Sequence, residues 1–373
     1  MDALTTPSNW QRVRLGDVGK PCMCKRVMKH QTTRYGEIPF YKIGTFGNTA
    51  DAFISKKLFL EYKTKYSFPK KGDILISASG TIGRAVIYDG KPAYFQDSNI
   101  VWIDNDETLV KNDFLFYVYS HVKWNTEHTT ILRLYNDNFR NTLIPLPPLN
   151  EQIAIANILS DVDRYLYSLD ALILKKESVK KALSFELLSQ RKRLKGFNQA
   201  WQRVRLGDIA NYLTSNLSAE QITQQGKIKV YDVNNFIGYT DTTFISDKPY
   251  ISIVKDGSVG RVRILPPKTN ILSTMGALIA NHRTTTEFLF YLLSNFDFKN
   301  FTSGSIIPHI YFKDYKEKTI FLPPLNEQSA IANVLSALDN EIASLKNKKR
   351  QFENIKKALN HDLMSAKIRV LKK

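Results

Sequence analysis

The sequence predicts an α+β protein in which two similar mixed α/β domains are separated by two long helices. These helices are expected to form an antiparallel coiled coil, which gives the chain internal pseudo-two-fold symmetry. Three observations predict this architecture. The 373-residue chain repeats its own motifs, two long tracts contain no proline or glycine, and the apolar residues in those tracts recur at steps of three and four.

The internal repeat is carried by four matched segments. They are WQRVRLGD (10–17 and 201–208), ILISASGTIGRAVI with ISIVKDGSVGRVRI (74–87 and 251–264), DFLFYVYSH with EFLFYLLSN (113–121 and 287–295), and LPPLNEQ (146–152 and 322–328). The stretches between them share little, above all 20–70 and 212–248. One frame carrying two different inserts indicates two similar tasks on different targets.

The two tracts without proline or glycine predict long helices, because these two residues are the main local breakers of helices. Pro147-Pro148 and Pro323-Pro324 precede them, Asn150 and Asn326 are the expected N-caps, and Gly196 is the expected C-terminal glycine of the first helix. The predicted boundaries are domain 1 at 1–148, helix 1 at 149–195, domain 2 at 196–324 and helix 2 at 325–373.

The apolar spacing inside the tracts is typical of a coiled-coil seam. The predicted seam of the first helix is Ile155, Leu159, Val162, Leu166, Leu169, Leu172, Lys176, Val179, Leu183 and Leu187, with one stutter near Leu172. That of the second is Leu335, Leu338, Ile342, Leu345, Lys349, Phe352, Lys356, Leu359 and Leu363. The alternative, that each helix packs only on its own globular part, is less favoured by a step sustained over four heptads.

Each globular part combines short β-rich runs with one helical patch. The predicted strands are 73–77, 84–88, 99–103, 227–233, 251–254 and 261–265, and the predicted short helices are 114–121 and 288–295. We expect the strands to bend into a compact, barrel-like sheet.

The net charge of +18 and the pI near 9.6 indicate a polyanionic partner, of which DNA, RNA and an anionic membrane are candidates. The alternative is a protein that is merely rich in lysine. The N-terminus lacks the features of a signal peptide and no long apolar run occurs, so we expect no membrane association. Cys22 and Cys24 are too few ligands for structural zinc and fit a reducing cytoplasm.

No catalytic motif is recognised. Leu146-Pro147-Pro148-Leu149 and its repeat lack the amide and the aromatic residue of a methyltransferase motif, and the turn at 80–84 lacks the spacing of a phosphate loop. The six histidines show no metal-ligand spacing. We therefore expect neither a catalytic nor a metal site, although a paired-carboxylate nuclease stays open as an alternative.

The repeated Trp-x-x-Val-x-Leu-Gly-Asp segment, the Ser-Gly-Thr-Ile-Gly-Arg turn, and the Leu-Pro-Pro-Leu-x-Glu-Gln start of a long helix resemble type I restriction–modification specificity subunits. The resemblance covers nearly the whole chain. It implies two target-recognition domains, each recognising one half of a split, asymmetric site on double-stranded DNA, with the helices fixing the gap. One departure is Asp256 where the first copy has Ser79, so a role of Ser79 does not transfer.

The resemblance also implies the partners. Two modification subunits would supply S-adenosylmethionine-dependent adenine methylation, and restriction subunits would add translocation and cleavage that use ATP and Mg²⁺. This chain itself would bind no cofactor. The exposed flanks of 159–188 and 335–359 are candidate docking surfaces for the modification subunits.

The candidate DNA-binding residues are polar or basic side chains of the inserts and of the glycine-containing turns. For base contacts they are Lys25, Arg26, Lys29, Arg34 and Lys42 in the first insert, and Asn216, Gln224, Lys227 and Lys229 in the second. For phosphate contacts they are Thr81, Arg84, Ser258, Arg261 and Arg263, which follow glycines that let backbone approach a phosphate. The alternative for each is a solvated basic face.

Three hypotheses follow. The chain is a DNA-recognition subunit without catalysis, a nuclease with an unrecognised site, or a coiled-coil protein whose globular parts bind other proteins. A repeated frame with different inserts favours the first.

Overall fold

The computed structural model describes residues 9–128 and 132–371. The chain divides into two compact units. The first unit comprises Met1–Leu169 with Lys348–Lys373, and the second comprises Asp170–Asn347. Each unit therefore contains one globular part, the beginning of one long helix and the end of the other.

The first unit is built from short strands and four short helices before its long helix. Its strands are β1 (Gln11–Arg14), β2 (Gly19–Met23), β3 (Ile38–Tyr41), β4 (Phe53–Ile54), β5 (Ile74–Ser77), β6 (Ala85–Ile87), β7 (Tyr94–Phe95), β8 (Ile100–Asn105), β9 (Glu127–His128), β10 (Leu132–Arg133) and β11 (Leu143–Leu146). Its helices are α1 (Leu15–Val18), α2 (Lys56–Lys65), α3 (Asn112–Tyr119) and α4 (Asn136–Asn141), followed by the start of α5 (Leu149–Leu188).

The second unit repeats this plan. Its strands are β12 (Gln202–Arg205), β13 (Ala210–Thr214), β14 (Ile228–Tyr231), β15 (Phe236–Thr240), β16 (Tyr250–Val254), β17 (Val262–Leu265), β18 (Asn270–Ile271), β19 (Met275–Ala280), β20 (Thr302–Ser303), β21 (His309–Ile310) and β22 (Thr319–Leu322). Its helices are α6 (Thr286–Ser294) and α7 (Phe312–Tyr315), followed by the start of α8 (Leu325–Met364).

The same sheet topology occurs in both units. A four-stranded antiparallel sheet has the order β2-β8-β5-β6 in the first unit and β13-β19-β16-β17 in the second. A three-stranded sheet has the order β4-β3-β7 or β15-β14-β18, and β1-β11 or β12-β22 form a two-stranded ladder. The predicted strands and short helices are confirmed to within a few residues, but the expectation of one helical patch is wrong for the first globular part, because α2 (Lys56–Lys65) is a second helix in its insert.

The four-stranded sheet is buried on both faces, because alternate residues of a strand point to opposite sides. In β5, Ile74 and Ile76 belong to the core beneath α3, whereas Leu75 belongs to the core shared with the three-stranded sheet. In β16, Ile251 belongs to the core beneath α6, whereas Tyr250 belongs to the core on the opposite face of the sheet. The barrel-like sheet expected from the sequence is therefore wrong for the described residues, since these strands form separate layered sheets.

The long helices begin one residue before the asparagines expected as N-caps. α5 begins at Leu149 and α8 at Leu325. Asn150 lies inside the first turn, where its side chain accepts a hydrogen bond from the N–H of Glu151 at 3.0 Å. The N–H groups of Glu151 and Gln152 donate to the carbonyl of Pro148, so the proline-containing segment supplies a carbonyl that caps the helix.

The helices end before the predicted boundaries at 195 and 373. α5 ends at Leu188, and the left-handed residue that follows is Gln190, with φ 62°. α8 ends at Met364 and is followed by Ala366 with φ 55°. The expectation that Gly196 terminates the first helix is therefore wrong. Its φ is +93°, but it lies in the segment after the helix has already ended.

Within each unit the two long helices pack antiparallel, as predicted. In the first unit, Lys356 pairs with Asp163 at 2.5 Å. In the second, Lys180 pairs with Asp339 at 2.5 Å and Lys176 with Glu341 at 2.8 Å. Rising residue numbers on α5 therefore match falling numbers on α8, which is the signature of antiparallel packing.

One part of the predicted seam is wrong. Leu172 and Val179 are 38% and 45% exposed, whereas Ile173 is only 6% exposed. Starting from Leu169, a step of four to Ile173 and then three to Lys176 continues the alternation that the preceding residues follow. The stutter inferred near Leu172 therefore disappears, because the regular heptad passes through Ile173.

The repeated tryptophan and glutamate join each globular part to the helix pair. In the first unit, Trp10 Nε1 donates to Glu151 at 3.0 Å, and Arg369 donates two bonds to the same carboxylate at 2.7 and 3.0 Å. We call Trp10, Glu151 and Arg369 the first clamp. Because Glu151 is 2% exposed, both charge-assisted bonds lie where water competes little.

The second clamp consists of Trp201, Glu327 and Arg193. Trp201 Nε1 donates to Glu327 at 2.9 Å, and Arg193 donates two bonds to it at 3.0 and 2.6 Å. In each unit the glutamate begins one long helix and the arginine follows the end of the other. The clamp thus holds the two helix ends and the first strand of the globular part together.

Candidate nucleic-acid interface

The interface is built around a loop that we call the glycine turn, residues 79–84 in the first unit and 256–261 in the second. A second element, the distal hairpin, packs beside it and comprises β9 and β10 (Glu127–His128 and Leu132–Arg133) in the first unit and residues 302–310 in the second. In the first unit the N–H of Leu134 donates to the carbonyl of Ala78 at 2.9 Å. In the second, the N–H of Gly257 donates to the carbonyl of Pro308, also at 2.9 Å. The two loops therefore form one surface in both units.

Glycine is required at the two positions of each turn for different physical reasons. All four have positive φ, between 66° and 83°. A Cβ on Gly80 or Gly257 would meet nothing within 4 Å, whereas a Cβ on Gly83 would collide with Trp124 and one on Gly260 would lie 2.6 Å from Phe298. Gly83 and Gly260 are thus explained by packing within the protein, and only the first glycine of each turn offers open backbone to a ligand.

An arginine connects the glycine turn to the first insert. Arg84 Nη1 donates to the carbonyl of Phe46 at 3.0 Å. Phe46 belongs to the loop that follows β3, which also contains Lys42. The Lys42 ammonium is paired with Asp51 at 2.8 Å. The structure therefore brings Thr81, Arg84 and the Lys42 loop into one continuous region, although Arg84 and Lys42 each already have a partner within the protein.

The second unit makes the corresponding connection from a residue two positions further on. Arg263 Nη1 donates to the carbonyl of Asn234 at 3.0 Å, and its guanidinium lies 5.2 Å from the centre of the Tyr231 ring. Ser258 and Arg261 are exposed at the turn itself. The guanidinium is thus held at the junction of the turn and the second insert.

The other predicted residues of the first insert lie along the same unit at varying distance from the turn. Arg26 is 73% exposed in its side chain and lies 3.8 Å from Asp97. Asp97 is near Asn99, which bonds Ser79 of the glycine turn at 2.8 Å. Lys25 lies over the ring of Tyr66 at 5.1 Å. Lys29 and Arg34 are exposed on the segment between β2 and β3.

In the second insert three predicted residues lie close in the chain and one lies apart. Gln224, Lys227 and Lys229 are exposed at or beside β14, where Lys229 Nζ lies 5.9 Å from the Phe236 ring centre. Asn216 is exposed and follows β13, which is a strand of the four-stranded sheet. These contacts group Gln224, Lys227 and Lys229 with the three-stranded sheet.

The sequence analysis missed the distal hairpin. Arg133 forms a backbone bridge with Ser79, and His309 forms the equivalent bridge with Asp256. Tyr135 and Tyr311 follow these residues by two positions and are 40% and 48% exposed. The segments that contain this hairpin have little sequence similarity between the two copies, so the only signal for it is their equal position ahead of LPPLNEQ.

Burial shifts the pKa of one tyrosine beside the second glycine turn and of one cysteine in the core of the first unit. In the second unit, Tyr212 stacks on Phe312 with ring centres 4.6 Å apart. Burial, with a smaller effect of the Asp256 charge, raises the pKa of Tyr212, so its hydroxyl stays protonated at neutral pH. In the first unit, burial raises the pKa of the Cys24 thiol to about 12, so the thiol is neutral near pH 7.

Within the described parts of the chain, no group of three or more His, Cys, Asp or Glu side chains is placed to hold a metal ion. The same described residues include no helix long and apolar enough to cross a membrane.

Comparison with known proteins identifies the family. The type I restriction modification DNA specificity domain matches residues 7–176 and again 198–354. A Haemophilus influenzae protein described as a type I restriction enzyme specificity subunit is 64% identical over 148 residues, which are 39% of this chain and 38% of that protein. A Methanocaldococcus jannaschii protein described in the same way is 30% identical over 335 residues, covering 80% and 79%.

Two solved structures share the fold. The S subunit of a type I restriction–modification system from M. genitalium gives a TM-score of 0.63 at 19% identity, covering 98% of both chains. A chain from a study of complex assembly and conformational transition in a type I system gives 0.58 at 16% identity, covering 96% and 98%. With two matched specificity domains and a relative similar over most of its length, the chain belongs to the type I restriction–modification specificity subunits.

Proposed function

We propose that each globular part recognises one half of a bipartite, asymmetric DNA site and that the paired helices set the gap between the halves. On this proposal the chain has no catalytic activity. It directs adenine methylation and cleavage by two modification subunits and by restriction subunits, which use S-adenosylmethionine, ATP and Mg²⁺.

One observation carries this proposal. The two units share sheet order, helix clamps and glycine turns, yet the surface beside the turn differs, with the exposed Arg133 in one unit and Asp256 and His309 in the other. A shared scaffold with unlike polar groups is what recognition of two different short sequences requires, because base edges present different donors and acceptors.

The fourteen candidate residues keep their proposed roles. The exposed inserts would supply base contacts, and Thr81, Arg84, Ser258, Arg261 and Arg263 would supply phosphate contacts. Because Arg84 and Arg263 each donate one N–H to a loop carbonyl, their remaining donors would reach phosphate from a fixed position. Phosphate contacts of this kind would make binding strongly salt-dependent.

The modification subunits are proposed to dock on the outward faces of the long helices. On α5, Tyr167 is 78% exposed and Leu174 is 65% exposed. Neither residue belongs to the heptad seam of α5. Large exposed apolar side chains on a helix surface often mark an interface with another protein.

The experiment that tests the proposal is methylome sequencing of a host with the complete system and of the same host lacking only this chain. We expect methyladenine on both strands of one split motif in the first host and its loss in the second. A continuous motif, or methylation that persists without the chain, would contradict the proposal.

A further inference from the structure

Each glycine turn places one side chain directly opposite a side chain of the distal hairpin. In the first unit, Ser79 is bridged to Arg133, and in the second, Asp256 is bridged to His309. The backbone around both bridges is equivalent. Leu134 N–H donates to Ala78 in one unit and Ile310 N–H donates to Lys255 in the other, each at 2.9 Å. The two pairs thus occupy the same place on the same frame.

The chemistry of the two pairs is different. Ser79 is 5% exposed and its Oγ donates to Asn99 at 2.8 Å, whereas Arg133 is exposed beside it, so Arg133 is the member of this pair that a ligand can reach. In the second unit, His309 Nδ1 lies 2.7 Å from the Asp256 carboxylate, with side chains 34% and 31% exposed. One unit therefore presents a guanidinium, and the other presents an imidazole that is held at one nitrogen by a carboxylate.

The surroundings of both pairs suit a nucleic acid. The adjacent glycine of the turn, Gly80 or Gly257, faces open space. An exposed tyrosine follows each hairpin residue by two positions, and in the second unit the Tyr311 ring lies nearly parallel to His309 at 6.4 Å, with Lys313 at 5.4 Å from its centre. Aromatic and cationic groups beside open backbone are the combination that contacts bases and phosphates together.

We propose that Arg133 in the first domain, and Asp256 with His309 in the second, are base-recognition residues, and that the buried Ser79 only positions the turn opposite Arg133. The inference rests on the proposed function and assigns a base class to each domain. Arg133 recognises a guanine, because its planar fork matches the O6 and N7 acceptors of guanine in the major groove.

The second pair recognises a base that carries an exocyclic amino group. In the tautomer that donates Nδ1–H to Asp256, Nε2 of His309 is an acceptor, as are the carboxylate oxygens. The amino groups of cytosine and adenine are the major-groove donors that such acceptors match. An exposed arginine in one domain and an aspartate with a histidine in the other thus predict unlike bases in the two half-sites.

The test uses the complete system in cells, with the methylome as the readout. The variants are Arg133→Ala, Arg133→Lys and the exchange Asp256→Ser/His309→Arg, which gives the second domain the pair of the first. Matched controls are Arg12→Ala on β1 and Arg203→Ala on β12. These are exposed arginines at equivalent positions on the two-stranded ladders, outside the proposed surface.

We expect Arg133→Ala and Arg133→Lys to relax one guanine position of one half-site by about 5-fold to 100-fold in relative methylation. The lysine variant keeps the charge but loses the fork, so it separates base recognition from phosphate attraction. The exchange variant should change one position of the other half-site toward guanine. Both controls should leave the motif unchanged.

An unchanged motif in the Arg133 variants, or equal weakening at every position, would overturn the inference while the proposed function stands. If Arg133→Ala abolishes methylation, purified complex carrying Arg133→Lys is tested on duplexes substituted at each position, and a flat response across positions overturns it as well. A wild-type chain without a split motif would instead contradict the proposed function.

Discussion

The two clamps have the same residues in both units, whereas the two proposed recognition surfaces have different residues on the same backbone. At the clamps, the same three residue types make the same contacts in both units, with each glutamate 2% exposed or less. At the glycine turns, the same backbone carries Ser79 and Arg133 in one unit and Asp256 and His309 in the other. The residue types are the same where each globular part joins the helices. They differ at the surfaces that we propose recognise DNA.

The largest expected effect comes from removing a clamp glutamate. Glu327→Ala leaves Arg193 and the Trp201 N–H without their common partner in a buried place. We expect it to destabilise the second unit by about 3–5 kcal/mol, measured by urea unfolding. Glu151→Ala should cost a similar amount in the first unit, and Glu353→Ala, on an exposed part of α8, is the control. A clearly unequal cost would break the equivalence of the two clamps.

A smaller effect is expected in the helix seam. Ile173 is 6% exposed and Leu172 is 38% exposed, although the two are neighbours in sequence. Ile173→Ala should destabilise the protein by about 2–4 kcal/mol, because it leaves a cavity between the helices. Leu172→Ala should cost less than about 1 kcal/mol. Thermal unfolding of both variants decides whether the heptad passes through Ile173, and equal costs would contradict this.

The glycines give a third comparison. Gly83→Ala combines a disfavoured φ with a collision against Trp124, whereas Gly80→Ala has only the φ cost. We expect about 2–3 kcal/mol for the first and about 1 kcal/mol for the second. Gly260→Ala and Gly257→Ala should repeat the difference in the second unit. If DNA binding by the complex, rather than stability, were lost with Gly83→Ala, the packing explanation would be wrong.

The smallest expected effect is a pH dependence of stability that arises in the first unit and not in the second. In the first unit His121 and His361 lie with ring centres 5.4 Å apart, and burial, followed by the neighbouring His361, lowers the pKa of His121. Because the pKa of His121 is lower in the folded state, the folded protein binds fewer protons than the unfolded chain. The free energy of unfolding is therefore highest above about pH 6.5, the ordinary pKa of histidine, and decreases as the pH falls below it.

Asn295 and Phe185 occupy the corresponding positions of the second unit. We expect His121→Asn, which installs the residue of the second unit, to reduce the loss of stability between pH 7 and pH 5. The measurement is the unfolding midpoint across that range for both proteins. An unchanged pH dependence would show that this histidine pair does not distinguish the units.

Repetition made most of the architecture predictable. The motif spacing predicted two like domains, the absence of proline and glycine predicted both long helices, and the heptad spacing of their apolar residues predicted that the helices pair. The helix ends were wrong because Gln190 and Ala366, which are not glycines, take the left-handed position. The chain then turns so that Arg193 and Arg369 reach the clamp glutamates, and this tertiary contact is not visible in the local sequence.

The candidate surface was predictable only in part. Glycine spacing located the turns, but the same pattern arises from ligand approach at Gly80 and from packing against Trp124 at Gly83, which a sequence cannot separate. The opposed residues Arg133 and His309 reach the turns through a backbone bridge that joins segments about fifty residues apart. Because Arg133 and His309 are different residue types at equivalent positions, a comparison of the two copies for similar residues does not find them.

The most direct test of the central claim exchanges one domain. Residues 20–140 are replaced by those of a relative that recognises a different motif, and the methylome of the host is sequenced. The account predicts that one half of the split motif changes while the other half and the gap between them stay the same. A change in both halves would contradict the assignment of one half-site to each domain.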